Sequence, residues 1–307
     1  MRRWFFGPVA ALSLVSAACA EQAPPEETSP APRPQSEAAD PAQPSGEVAA
    51  PTENEARAVN LEGELAQGGF ARGHARGGDV EEILLDGETV PALEDGRFFI
   101  AFGRDAAREA TLTVRYADGE TVTRDITLAP TSFPESHLPA AATESIEADP
   151  DFERRRAAEV QRIGAARAAP SQLTGWTEDF VRPTPGERTS RFGAQRFYGD
   201  VARSPHSGTD FAGAIGAPVV APASGEVVLA GPDYSYEGNL VILDHGLGLY
   251  SAFLHLSQMD VETGQMVQRG ERIGAVGQSG RATGPHLHWG LWWNGVRFDP
   301  EMLLPRN

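Results

Sequence analysis

Cysteine is almost missing from this chain: among its 307 residues there is one, Cys19. A lone cysteine excludes an internal disulfide framework. Positive charge is also scarce. Basic side chains number 26 against 43 acidic ones, the formal net charge is −17, and the basic residues form no sustained cluster. Phosphate backbones need a basic face, so nucleic acid is excluded as a partner, and most of this charge belongs to a solvated acidic surface. Long apolar runs are lacking too. The N-terminal run from Trp4 to Ala18 is roughly 15 residues, whereas a membrane-crossing helix needs about 20. From Trp176 onward no window keeps a helical period, which excludes a helical C-terminal half.

What is present begins with an export signal: Arg2 and Arg3, the short apolar run, then small residues. Cys19 ends the segment Val15-Ser16-Ala17-Ala18-Cys19, which resembles a bacterial lipobox, although Ser16 stands where that motif usually carries Leu. The resemblance implies that residues 1–19 are a lipoprotein signal, that Cys19 is acylated, and that the protein is a periplasmic lipoprotein of a Gram-negative bacterium, anchored at the outer membrane. Two alternatives remain: cleavage within Ala18-Cys19-Ala20 that releases a soluble periplasmic protein, and an uncleaved anchor. Residues 20–57 are rich in Pro, Ala, Glu and Ser and poor in large apolar side chains. They cannot bury enough surface to offset the entropy of ordering, which predicts a disordered acidic tether.

Residues 58–130 change to short alternating runs separated by turns. Examples are Glu82 to Gly87, Gly96 to Gly103, Ala110 to Tyr116 and Thr121 to Leu128, with Ala117-Asp118-Gly119 as a hairpin turn. This predicts a small β-sandwich of immunoglobulin-like type. Residues 131–175 read as a linker holding a solvated helix at about 150–169, with Asp149 as N-cap, Pro150 in the first turn and Pro170 beyond its end. Residues 176–307, rich in Gly and β-branched side chains, predict a second and larger all-β domain, with strands at Ala217 to Leu229, Leu240 to Asp244, Leu249 to Leu256 and His286 to Trp293. The 40% hydrophobic content is enough for two cores in a chain of this length.

Four of the seven histidines gather in this last region with an aspartate: His206, Asp210, His255, His286 and His288. A catalytic zinc takes three His or carboxylate ligands and leaves one position open for water. His206 and Asp210 are four residues apart, an even offset that puts both on one face of an extended segment. His286 and His288 share a strand face while Leu287 points away. Alternation in Phe253-Leu254-His255-Leu256 directs His255 away from the apolar face of Leu254 and Leu256. His74 and His137 belong to no constellation and read as structural or exposed; His245 reads as a packing or turn residue.

These elements resemble the lysostaphin-type (LytM-like) zinc metallopeptidases that cut peptide crosslinks in bacterial peptidoglycan. The similarity runs from about Phe180 to Pro300 and includes Ser190-Arg191-Phe192-Gly193, His206 to Asp210, Ala221-Pro222-Ala223-Ser224-Gly225, Gly238 to Gly246, His255-Leu256-Ser257, and Gly277-Gln278-Ser279-Gly280 through His288. It implies an antiparallel β-sheet peptidase domain with one Zn2+ held by His206, Asp210 and His288. It also implies that His255 and His286 are catalytic, orienting or deprotonating the attacking water and stabilising the oxyanion. The implied partners are peptidoglycan and, through the lipid, a membrane. Phe253 stands where many members have Tyr, and Gly290 where many have Glu; neither position is a ligand. Relatives without catalysis exist, so a wall-binding or amidase-activating protein on the same fold is the alternative, although such relatives lack some of the five residues kept here.

Overall fold

A computed structural model of the chain describes residues 57–138, 151–198 and 201–305. The signal segment with Cys19, the tether up to residue 56, and Asp149-Pro150 lie outside them. Among the described residues there is one α-helix and no helix long and apolar enough to cross a membrane.

The first strands alternate as the sequence requires. β1 (Ala58–Glu64), β2 (Phe70–Arg76) and β5 (Arg97–Ala101) make one antiparallel sheet. β3 (Val80–Leu85), β4 (Glu88–Thr89), β6 (Glu109–Tyr116) and β7 (Thr121–Thr127) make another, ordered β4-β3-β6-β7. In β6 every second residue, Ala110, Leu112, Val114 and Tyr116, is buried. This core is continuous with that of the C-terminal half: the Phe99 ring lies 6.4 Å from Trp176 and 5.9 Å from Phe298. Arg72 adds hydrogen bonds from Nε to the Trp176 carbonyl at 2.9 Å and from Nη2 to the Glu178 carbonyl at 2.6 Å.

The segment 131–175 does more than link. Its strand β8 (Glu135–Leu138) pairs in parallel with β10 (Gln195–Tyr198), which also pairs with β11 (Val201–Ala202), and β9 (Arg188–Ser190) begins the next sheet. The helix α1 spans Phe152–Ala165, shorter than the expected 150–169, and Asp151 precedes it. It is not merely solvated. Ile163 enters a second apolar cluster with Leu240, Ile242 and Tyr250, and the buried Glu159 carboxylate accepts from Ser235 N at 3.0 Å and Ser235 Oγ at 2.6 Å. A few apolar residues were enough to seat the helix because the Glu159 carboxylate found donors in the turn between Tyr234 and Gly238.

Four elements then build the central sheet: β12 (Thr209–Ala212), β14 (Gly225–Tyr234), β15 (Gly238–Gly246) and β16 (Leu249–Leu256). β13 (Pro218–Val220), β17 (Gln258–Met259) and β19 (Arg272–Ala275) form a small side sheet, and β18 (Met266–Val267), β20 (His286–Trp293) and β21 (Val296–Phe298) complete the large one. Its order is β18-β14-β15-β16-β20-β12-β9, with β21 on β20. The mostly β architecture expected from the sequence is thus present.

The period-2 geometry of a strand divides each central element between two faces. Val241 and Leu243 of β15 enter the main core while Leu240 and Ile242 join the cluster under α1. Along β20, Leu287, Trp289, Leu291 and Trp293 enter the main core, which leaves His286, His288, Gly290 and Trp292 on the opposite face.

Candidate metal centre

Asp210 stands directly opposite His288 in the antiparallel ladder of β12 and β20, so both point off the same face. His206 does not share an extended strand with Asp210 as expected. β12 begins at Thr209, and His206 lies in the preceding loop, tied by Gly193 N to its own carbonyl at 2.9 Å and by its N to Ala194 O at 2.9 Å. That loop still brings the ring in: His206 Nε2 is 3.0 Å from Asp210 Oδ1 and 3.0 Å from His288 Nδ1, and His288 Nδ1 is 2.8 Å from Asp210 Oδ1. Gly208 lets this loop pass close to β20, since a Cβ there would stand 2.7 Å from His288 Nε2 and 2.3 Å from the Trp289 carbonyl.

His255 arrives by a route that alternation does not predict. Strict alternation from Phe253, which is in the main core, would send His255 into that core. Instead one residue of β15 opposes two of β16 between the pairs Val241↔Phe253 and Asn239↔Leu256, and His255 takes φ +65°. This bulge turns the ring onto the groove face beside Leu254, with Leu256 returning to the core. A non-glycine residue at positive φ is uncommon and strained, a cost that persists where function needs the side chain placed. The His255 ring lies 4.8 Å from His286 and 6.3 Å from His288.

Backbone carbonyls select the tautomers. A carbonyl can only accept, so Nδ1 carries the proton where it donates to Arg191 O from His206 at 2.9 Å, to Ser279 O from His255 at 2.8 Å and to Gly284 O from His286 at 2.7 Å. Each of these rings therefore presents Nε2 to the groove. The arrangement is held in turn by Ser279 Oγ, which accepts from Asn239 N at 2.9 Å and donates to Leu256 O at 2.8 Å.

Burial dominates the electrostatics. It lowers the His255 pKa to about 3, aided by His288 and His286, and lowers that of His288 to about 4 against the opposing hydrogen bond of Asp210. Burial alone would raise the Asp210 carboxyl, yet the close contacts of the His206 and His288 rings outweigh it and hold that carboxyl well below the usual carboxylate range. His206 Nε2, Asp210 Oδ1 and His288 Nδ1 thus converge on one point, each able to offer a lone pair to a cation. Three acceptors at 2.8–3.0 Å fit a cation. Those separations are close to the ~3.3 Å edge of a tetrahedron with zinc bonds of about 2.0–2.1 Å, and the His/Asp/His set is one that zinc takes.

The remaining histidines stay apart. His74 bonds Asp95 O at 3.1 Å, and His137 stacks on Phe197 at 4.8 Å. His245 is fully buried, with Nδ1 2.9 Å from Ser224 O and Nε2 2.7 Å from Ser251 Oγ. Reasoning from sequence missed Ser279, Ser207 and the arginines that line the groove, among them Arg196, whose Nη2 is 3.8 Å from Asp210 Oδ2. The Gly277-Gln278-Ser279-Gly280 motif carried a signal for Ser279.

The description "Peptidase family M23" matches residues 204–300, a span holding all five groups. Over most of its length the chain is also similar to a solved structure, a putative peptidase M23 from Pseudomonas aeruginosa, at 31% identity and TM-score 0.61, covering 78% of this chain and 95% of that one. The chain belongs to peptidase family M23. Among curated M23 relatives, the peptidoglycan DD-endopeptidase ShyA of Vibrio cholerae is 45% identical over 104 residues, 34% of this chain and 24% of ShyA. The cell division protein DipM of Caulobacter vibrioides is 34% identical over 137 residues, 41% of this chain and 21% of DipM. The chain spans about a quarter of the length of the curated relatives it matches.

Proposed function

We propose that this M23 protein is a zinc-dependent endopeptidase that hydrolyses peptide crosslinks or stem peptides of bacterial peptidoglycan during remodelling of the cell wall. The observation that carries the reading is the convergence of the His206, Asp210 and His288 donors at 2.8–3.0 Å, with two further Nε2 atoms beside them. The names of the curated relatives supply the substrate class.

His206, Asp210 and His288 would hold the metal, which when bound supplies Lewis acidity, polarising a carbonyl and making water more acidic. The chain's own residues then do the positioning and the proton transfer. The His255 Nδ1–H is committed to Ser279 O, so its Nε2 faces the groove with a free lone pair that accepts a proton from the attacking water. A cation is costly in that buried position, so the proton is readily passed to the leaving amine. His286, whose side chain is 16% exposed, lies on the solvent side with Nε2 3.9 Å from Asp210 Oδ1; since its Nδ1–H is committed to Gly284 O, it donates to the developing oxyanion in its doubly protonated form, with the extra proton on Nε2. Arg196 neutralises part of the Asp210 charge from the rim.

The decisive experiment digests purified peptidoglycan with the zinc-loaded protein and follows released muropeptides by mass. Crosslinked species should disappear, and His206→Ala should abolish the effect. Undigested peptidoglycan, bound equally by both proteins, would overturn the enzyme in favour of a binding module. For its place in the envelope we propose acylation at Cys19: Cys19→Ser should move the protein from the membrane to the soluble periplasmic fraction, and unchanged partitioning would discard the anchor.

A further inference from the structure

Beyond the groove, the face of β20 that carries His286 and His288 continues to Trp292, and two guanidiniums flank that ring. The Cζ of Arg167, just past the end of α1, is 4.3 Å from the Trp292 ring centre, and the Cζ of Arg297, on β21, is 5.2 Å from it. The two cations share one aromatic platform at the mouth of a cavity of about 770 Å³, which Tyr250 and Asn294 also line. Neither has a carboxylate partner among the described residues, and Arg167 uses only Nε, towards Ile163 O at 3.1 Å. Burial, and then the charge of Arg297, disfavour the charged form of Arg167, and burial disfavours that of Arg297; the Glu237 charge offsets this only in part at either site. Arg156 shows the contrast: it is neutralised by both oxygens of Glu237 at 2.7 and 2.9 Å.

Arg297 also lines the groove that holds His255, His286 and His288, so the two cavities share that side chain. From His288 to Trp292 is four residues of strand, about 13 Å at ~3.3 Å per residue. We propose that Arg167 and Arg297, stacked on Trp292, form a carboxylate-binding subsite, about 13 Å along β20 from His288, that takes an acidic group of the peptide substrate. The subsite deepens the peptidase reading and rests on it for the identity of the substrate. Planar guanidiniums bind carboxylates with two parallel hydrogen bonds, and stacking on an aromatic ring fixes their plane beforehand.

The test separates binding from turnover. Soluble muropeptides prepared from peptidoglycan, with carboxylates either free or converted to amides, are titrated into full-length, metal-stripped protein. The protein should bind the free-carboxylate form about tenfold more tightly than the amide form. Arg167→Gln/Arg297→Gln should lose that discrimination, and the more exposed Arg297→Gln alone should lose part of it. Arg167→Lys/Arg297→Lys, which keeps charge but not the fork, should recover only a fraction. Equal discrimination by the protein and the double glutamine variant overturns the subsite. If the protein discriminates but zinc-loaded enzyme leaves peptidoglycan uncut, the subsite stands and the hydrolase reading falls. If it cuts but shows no preference for the free carboxylate, the subsite alone falls.

Discussion

His255 Nδ1 donates to the carbonyl of Ser279 at 2.8 Å, so a loop residue 24 positions away decides which nitrogen of this imidazole faces the groove. The Ser279 hydroxyl, bonded to Asn239 N and Leu256 O, keeps that carbonyl in place. Ser279 is therefore a positioning residue in the sense that supporting shells orient reactive groups. Ser279→Ala should lower kcat about tenfold with little change in KM, and His255→Ala should lower it about 10²–10⁴-fold. Zinc content should be unchanged in both, measured by metal analysis of the purified variants. Loss of zinc from either variant would place the residue in the metal shell instead.

Asp210 supplies the only anionic donor of the three-residue cluster, and His206 and His288 bond directly to it. Chelation should abolish hydrolysis, and zinc should restore it. A ligand that binds only the folded state raises stability by about 2.7 kcal/mol at a hundredfold excess over its Kd. Zinc should therefore raise the melting temperature of the protein but not that of Asp210→Ala or His288→Ala. An equal rise in these variants would show that the metal binds elsewhere.

His286 and His288 were legible because their even spacing suits one face of a strand, and β16 and β20 follow the expected strands, whereas His206 reaches Asp210 from a loop and not by the shared strand face that their even spacing suggested. His255 was legible as a residue but not in its orientation. Alternation in Leu254-His255-Leu256 cannot reveal a bulge, because the signal lies in the backbone pairing with β15. The first two strands escaped notice for another reason: Phe70-Ala71-Arg72-Gly73-His74-Ala75-Arg76 has too little apolar side chain, and Gly73 is required where the Phe98 ring would stand 2.1 Å from a Cβ. The paired arginines at Trp292 lie 130 residues apart in sequence and meet only through the packing of α1 on the sheet.

Two buried groups outside the groove titrate in opposite senses. Burial lowers the His245 pKa from 6.5 to about 4, so the folded state favours the neutral ring. Its stabilisation is complete above pH 6.5 and is lost as pH falls towards 4, by on the order of 3 kcal/mol at 1.36 kcal/mol per unit. Burial raises Asp299 from 3.8 to about 6, so the folded state there favours the protonated acid. That contribution is greatest below pH 3.8 and is lost as pH rises through 6. Acidification from pH 6 to 4 thus costs stability at His245 and recovers part of it at Asp299. Asp299→Asn, which keeps an acceptor for Glu301 N, should make the acid loss steeper by about 2–3 kcal/mol in urea unfolding of chelated protein at pH 7.5, 5.5 and 4.5. Parallel stability curves for the two proteins would rule out the Asp299 contribution.

Phe99 tests whether the N-terminal strands and the peptidase sheet unfold as one body. Its ring is fully buried and touches Phe70, Trp176 and Phe298, which come from three different parts of the chain. Truncating a buried phenylalanine costs about 3–5 kcal/mol through lost transfer energy and the cavity left behind. Because the core is continuous across these contacts, that cost should fall on the whole folded unit. Phe99→Ala should therefore shift a single unfolding transition to lower denaturant, with tryptophan fluorescence and far-ultraviolet dichroism remaining superimposed. The fluorescence probe is apt, since Trp176, Trp289 and Trp293 are all buried in the same cluster. If the N-terminal strands melted first, the two signals would separate, and the shared core would be a contact between independently stable halves.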